Sequence, residues 1–137
     1  MLIGAGEAGR TLIQEIQNSR YLDQKICCVI DDNRRKIGRY ILGIRVVGDR
    51  NAIKRSVEHY GIEQIIIAIP SAGSRKIRPI LEICKDTGCE LKILPGVYQL
   101  VNGEVSVSKL RNVEIEDLLG REPVDTQVES IMGYVSG

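Results

Sequence analysis

Trp and Phe are absent from this chain, and five Tyr are its only aromatic residues. Binders of single-stranded nucleic acid stack bases on aromatic rings, and that platform is missing. A charge of one dominant sign is missing too: 19 Lys and Arg stand against 18 Asp and Glu, a net charge of +1. No global field draws the chain to nucleic acid or to an anionic membrane, so nucleic acid is not an expected partner and any ligand must be recognised locally. The longest apolar run, Ile65 to Ile69, is far shorter than the roughly 20 residues of a membrane-spanning helix. No signal-peptide pattern opens the chain, so it reads as a soluble piece. The four cysteines, Cys27, Cys28, Cys84 and Cys89, form no C-x-x-C; they read as reduced core thiols in a cytosolic compartment, not as metal ligands. The single histidine, His59, has no nucleophile or metal-ligand partner at a recognisable spacing. It reads as a surface residue favoured by the end of a helix.

What is present is a regular alternation of element signals in 137 residues, a length that suits one hydrophobic core. Leu2-Ile3 is an abrupt apolar start that runs straight into a glycine turn, as if the first strand had lost its beginning. Ala8, Leu12, Ile13 and Ile16 recur at helical spacing between Glu7 and Ser19. Ile26 to Ile30 is an apolar, β-branched run that stops at Asp31-Asp32-Asn33, the pattern of a buried parallel strand and a turn. Gly38, Gly43 and Gly48 interrupt the next stretch, which fits a loop with one or two short strands. Asp49 can cap a helix from about Asn51 to Tyr60, and Gly61 can end it. Gln64 to Ile69 is the most hydrophobic strand and is expected in the middle of the sheet. Pro70-Ser71-Ala72-Gly73-Ser74 breaks it, Ser74 can cap a helix to about Thr87, and Glu90 to Leu94 forms a further strand. Val97 to Val107 reads as a small hairpin around Asn102-Gly103.

This order predicts an α/β fold: a Rossmann-like, doubly wound, mainly parallel sheet with helices on both faces, three layers in all. Residues 1–112 are expected to form the nucleotide-binding domain. Residues 113–137 are expected to be a linker toward a catalytic domain outside the chain.

Gly4-Ala5-Gly6-Glu7-Ala8-Gly9 is G-x-G-x-x-G between a strand and a helix, with Asp31 about 22 residues beyond Gly9 at the end of the second strand. Each part has a physical role in holding an adenine dinucleotide. Gly4 permits the tight turn, Gly6 lets the backbone approach a pyrophosphate, and Gly9 lets the helix pack on the sheet. Asp31 would accept hydrogen bonds from a ribose diol, and its charge favours NAD over NADP, against which Arg34 and Arg35 weigh. The candidate binding residues are Gly4, Gly6, Glu7, Ala8, Gly9, Arg10, Asp31, Asp32, Pro70 and Ser71. The alternative is that the glycines only shape the turn. Arg34-Arg35-Lys36 and Arg75-Lys76 with Arg78 read as solvated faces, with a phosphate contact or an anionic membrane surface left open for a member of either cluster. Tyr21 and Lys25 match Y-x-x-x-K, but they fall at the amino edge of the sheet, opposite the glycine turn, so the spacing is read as chance. No catalytic set can be assembled.

The segments G-A-G-E-A-G-R from Gly4 to Arg10, Ile30-Asp31-Asp32, I-I-I-A-I-P-S from Ile65 to Ser71, K-I-L-P-G from Lys92 to Gly96 and E-D-L-L-G-R-E-P-V from Glu116 to Val124 resemble one family. It is the N-terminal nucleotide-binding domain of the large, membrane-bound nucleoside-diphosphate-sugar epimerases and dehydratases of bacterial polysaccharide synthesis, the CapD type. The resemblance implies membrane helices, then this domain, then a short-chain dehydrogenase domain that acts on UDP-N-acetylglucosamine with tightly held NAD. It therefore implies an accessory domain, inactive alone, at the cytoplasmic face of the bacterial inner membrane. The implied ligand is NAD or a related adenine nucleotide, with CoA the alternative that the family label suggests. The implied partner is the catalytic domain of the same protein, with a second copy of the chain left open. Similar domains also precede some membrane-bound sugar-phosphate transferases, and an empty scaffold for domain packing is the remaining reading.

Overall fold

The computed structural model describes residues 1–19, 24–70, 74–95 and 105–113. β1 (Leu2–Ile3) leads through the glycine turn into α1 (Glu7–Asn18), and the chain returns as β2 (Val29–Ile30). A loop and an antiparallel pair, β3 (Tyr40–Ile41) with β4 (Ile44–Gly48), follow. A 3-10 turn at Arg50–Ala52 runs into α2 (Ile53–Tyr60), then β5 (Gln64–Ile67), α3 (Ser74–Lys85) and β6 (Glu90–Ile93). A second 3-10 turn, Val107–Lys109, precedes β7 (Arg111–Asn112), which pairs antiparallel with β6.

The sheet order is β3-β4-β2-β1-β5-β6-β7. Its five inner strands, β4, β2, β1, β5 and β6, are parallel, and both edges are antiparallel. The expected Rossmann-like, doubly wound sheet is present. β1 lies at the centre with β5 beside it, so the most apolar strand is internal but not the middle one. The reason is connectivity: β1 is the strand from which the chain winds first toward β2 and later toward β5, and it must stand between them.

Side chains along the strands alternate between two cores, as the period of two requires. Leu2, Val29, Ile66 and Ala68 pack with Leu12, Ile13 and Ile16 of α1. Ile3, Ile30, Ile65 and Ile67 pack with Ile53 of α2 and Ile80, Leu81 and Cys84 of α3. Helices thus cover both faces. Burying Leu12, Ile13 and Ile16 contributes roughly 1.5–3 kcal/mol each, which holds the glycine turn against the end of β1. Gly61, in the left-handed conformation, ends α2 and satisfies a carbonyl through its N–H to Val57 O. Pro79 stands inside α3 and supplies no N–H to the preceding turn; the buried row Ile80, Leu81 and Cys84 outweighs that loss.

β2 is shorter than its apolar run from Ile26. Its rungs on the β1 side are Leu2↔Val29 and Ile3↔Ile30, and Cys28 adds its carbonyl, which accepts from Leu2 N at 3.1 Å. The hairpin expected around Asn102-Gly103, the segment Glu116 to Val124 and Tyr21 lie outside the described residues. Among the described residues no helix is long and apolar enough to cross a membrane.

Candidate functional site

β1 ends at Ile3 and α1 begins at Glu7, so Gly4, Ala5 and Gly6 alone carry the chain out of the sheet. Gly4 has φ +115°, and a Cβ there would drive into the carbonyl oxygen of Ala68 beyond β5. A Cβ on Gly9 would run into the carbonyl oxygen of Gly4 and come within 3.3 Å of Leu2 Cδ2. The fold itself requires both glycines. Gly6 is different: its φ of −85° and ψ of −163° are open to any residue, and a Cβ would meet no atom of the described residues within 4 Å. It is also the N-cap of α1 and makes no side-chain cap hydrogen bond, although Ser, Asp or Asn would cap the helix better. Space above the backbone and uncapped N–H groups are what an anion at a helix N-terminus needs.

Asp31 closes the turn from the side of β2. Its Oδ2 accepts from Ala5 N at 2.7 Å and its Oδ1 from Asn33 N at 2.8 Å. The neighbouring rungs, Gly4 N to Ile30 O at 2.8 Å and Asp31 N to Gly48 O at 3.0 Å, lock its backbone. The carboxylate predicted from sequence as a ribose acceptor is therefore also the brace of the glycine turn. Each of its oxygens keeps accepting capacity for a further donor. Asp32 points elsewhere: it takes Arg50 N at 3.0 Å, Nε at 2.9 Å and Nη2 at 2.6 Å. The Arg50 guanidinium holds the Asp32 carboxyl below the usual carboxylate range. Lys36 reaches over from the loop after β2, with Nζ 3.4 Å from Ala5 O.

A cavity of about 110 Å³ opens between these groups, lined by Ile3, Gly4, Ile30, Asp31, Asp32, Arg50, Ile69 and Ile80. It lies outside the carboxyl ends of β1, β2 and β5, where the chain winds both ways from β1, the position at which open α/β sheets bind ligands. Pockets for whole drug-sized ligands measure roughly 300–1,000 Å³, so this one suits a base or a ribose, with the remainder of a dinucleotide lying along the open turn. A larger cavity, about 410 Å³, lies at the amino ends of the strands beside Gln24, Lys25, Glu63 and Gln64. It is remote from the glycine turn.

Of the residues proposed from sequence, Gly4, Gly6, Gly9 and Asp31 come together. Glu7 and Arg10 lie exposed on the first turn of α1, Ala8 is half-buried there, and Pro70 follows the end of β5. Ser71 lies outside the described residues. His59 is exposed in the last turn of α2, edge-on to Tyr60 with ring centroids 4.7 Å apart. Among the described residues no three His, Cys, Asp or Glu side chains gather as a metal site. Sequence reasoning missed Arg50, Ile69 and Ile80. Arg50 was signalled only by its place after the carboxyl end of β4.

Known proteins agree with this architecture. A 29% identical chain, described as UDP-D-quinovosamine 4-dehydrogenase from Vibrio fischeri, superposes with a TM-score of 0.77 over 86% of this chain and 94% of its own. The protein RSP, solved in complex with β-NADH, shares the fold with a TM-score of 0.60 at 18% identity, over 86% of this chain and 54% of its own. The capsular polysaccharide biosynthesis protein CapD of Staphylococcus aureus is 34% identical over 132 residues, 96% of this chain and 22% of that protein. The probable polysaccharide biosynthesis protein EpsC of Bacillus subtilis is 31% identical over 137 residues, 100% of this chain and 23% of that protein. The chain thus spans less than a quarter of the curated relatives it matches. The family model described as a CoA-binding domain matches residues 1–95, from β1 past the end of β6, and the chain belongs to that family.

Proposed function

We propose that this chain is a nucleotide-binding accessory domain that holds NAD, or a related adenine nucleotide, along Gly4–Gly9. The carrying observation is Gly6: Gly4 and Gly9 are explained by packing, whereas a Cβ on Gly6 would meet no atom of the described residues within 4 Å, which leaves room for a ligand to approach the backbone. The adenosine end enters the cavity between Ile30, Asp31, Ile69 and Ile80, with Asp31 facing the ribose hydroxyls. The diphosphate lies over the N-terminus of α1, where the uncapped N–H groups and the helix dipole favour negative charge. NAD supplies hydride chemistry when bound to a catalytic site; the residues around this turn bind and orient a nucleotide.

The relatives' names and their length support a parent protein about four times longer, devoted to bacterial polysaccharide synthesis. The reading is a UDP-sugar 4,6-dehydratase or epimerase whose chemistry resides in a following short-chain dehydrogenase domain at the cytoplasmic face of the inner membrane. This domain regulates or braces that neighbour. A second reading, an empty packing scaffold, is favoured by one observation: both Asp31 oxygens already accept main-chain N–H groups, which accounts for Asp31 without a ligand. Calorimetric titration of the purified chain with NAD, NADP, CoA and UDP-N-acetylglucosamine separates the readings. Micromolar binding of NAD supports the first. Absence of binding in a folded chain free of copurified nucleotide supports the scaffold.

A further inference from the structure

We propose that Lys36 is a phosphate-holding residue of the glycine-turn site, and that it selects ligands carrying a diphosphate over uncharged nucleosides. This rests on the nucleotide-binding reading above and adds the residue that senses the ligand's charge.

The loop that carries Lys36 is fixed on both sides of it. Lys36 N donates to Asn33 O at 2.9 Å, Arg39 N to Lys36 O at 3.1 Å, and Gly38 N to Val46 O at 2.8 Å. Ile37, next in sequence, packs against the core on the α1 face. The half-buried Lys36 side chain thus returns toward the turn, and its Nζ stands 3.4 Å from Ala5 O. That is one long hydrogen bond for a group with three donors. No carboxylate answers the charge: among the described residues the ion pairs are Arg50 with Asp32 and Lys54 with Asp86. Its neighbours Arg34 and Arg35 are exposed, as a solvated face requires.

Two sources of positive potential therefore meet at one place. The N-terminus of α1 contributes about half an elementary charge, with no side-chain cap to spend it on. Lys36 contributes a full charge whose only side-chain hydrogen bond among the described residues is to a neutral carbonyl. A Cβ on Gly6, beside both, would meet no atom of the described residues within 4 Å. Glu7, exposed on the first turn of α1, and the Asp31 carboxylate, which accepts from Ala5 N at 2.7 Å, add the opposing charge that these two must outweigh. An ammonium that is partly desolvated and unpaired binds phosphate oxygens more strongly than one on an open surface. A nucleoside, which brings no phosphate, gains nothing from it.

The test is titration of the wild-type chain, Lys36→Ala, Lys36→Arg and the control Arg34→Ala with ADP, NAD and adenosine, read by NMR chemical-shift changes so that millimolar affinities are resolved. Thermal unfolding of each variant reports the fold. Lys36→Ala should weaken ADP and NAD about ten- to hundredfold, the range for loss of a hydrogen bond to a charged group, and leave adenosine unchanged. Lys36→Arg should restore most of the affinity, and Arg34→Ala should lose less than about threefold, as a screened surface charge does. Equal weakening of adenosine and ADP would make Lys36 a brace of the loop and overturn the proposal, as would unchanged ADP affinity in Lys36→Ala. A wild-type chain that binds no adenine compound would overturn the site reading itself, and this assignment with it.

Discussion

Replacing Gly6 by Ala should leave the fold as stable as before while weakening an adenine dinucleotide by at least about tenfold. The first half follows from geometry. The new methyl meets no atom of the described residues within 4 Å and the backbone angles suit any residue. Ala is a poorer N-cap than Gly, a cost below about 1 kcal/mol, and the stiffer unfolded chain returns about 0.4–1 kcal/mol. The net change is within about 0.5 kcal/mol. Gly9→Ala is the contrasting perturbation, because its methyl meets the Gly4 carbonyl oxygen, a main-chain atom that cannot swing aside. Overpacking of this kind costs about 1–3 kcal/mol, and at roughly 2–8 °C per kcal/mol the melting temperature should fall by about 10 °C. Circular dichroism melts and calorimetry with NAD on the three proteins give the comparison. The reasoning about packing is refuted if Gly6→Ala melts as low as Gly9→Ala. The reasoning about the ligand is refuted if Gly6→Ala is stable and binds NAD as the wild-type chain does.

Asp31→Asn should destabilise by about 1–3 kcal/mol in a urea titration, because the amide nitrogen cannot accept one of the two main-chain N–H groups that the carboxylate takes. The Arg50–Asp32 pair is 33% and 42% exposed, so it contributes about 0–1 kcal/mol. That contribution is present above the unfolded carboxylate's pKa of about 3.9 and is lost as pH falls through the lower folded value; Arg50→Met should therefore lower stability by up to about 1 kcal/mol at neutral pH and leave it unchanged in acid, where the wild-type pair is already broken. Burial pushes the Cys28 thiol up to about 11 and Cys84 up to about 12, so above about pH 9 the unfolded state releases protons that the folded state retains, and stability should decline. In a thiol assay at pH 8, exposed Cys27 should react at once, and Cys28 and Cys84 only with unfolding. Glu15 accepts from Val107 N at 2.9 Å and Ser106 Oγ at 3.2 Å, so Glu15→Ala should speed amide exchange at residues 105–110 while moving the melting temperature by only a few degrees.

The parallel sheet was legible because its signals are local: apolar runs of strand length, helical spacing between them, and glycines at the breaks. The glycine turn was legible for the same reason, since Gly4, Gly6 and Gly9 lie within one short segment. What the three glycines do was not equally visible. Identical letters conceal that Gly4 and Gly9 answer to Ala68 and to each other, while Gly6 answers to neither. Asp31 was placed correctly at the end of β2, but its bond to Ala5 N spans 26 residues, and no periodicity tells which lone pairs a carboxylate spends. Arg50 escaped for a related reason, as did the choice among Arg34, Arg35 and Lys36 of the one that turns toward the site. All four lie in irregular connections, where tertiary contacts decide which way a long side chain turns.

The central position of β1 also bears on biosynthesis. Ile3 leaves the ribosome 64 residues ahead of Ile67, its neighbour in the sheet. At roughly 5–20 residues per second, about 3–13 s separate the two. During that interval β1 can pair with β2 alone, leaving open the edge that β5 will occupy, along with the apolar surface that α2 and α3 will cover. A nascent chain in this condition has a sticky flank that lasts until β5 is made. Slow codons between α2 and β5 would prolong the exposure, and faster translation there would shorten it.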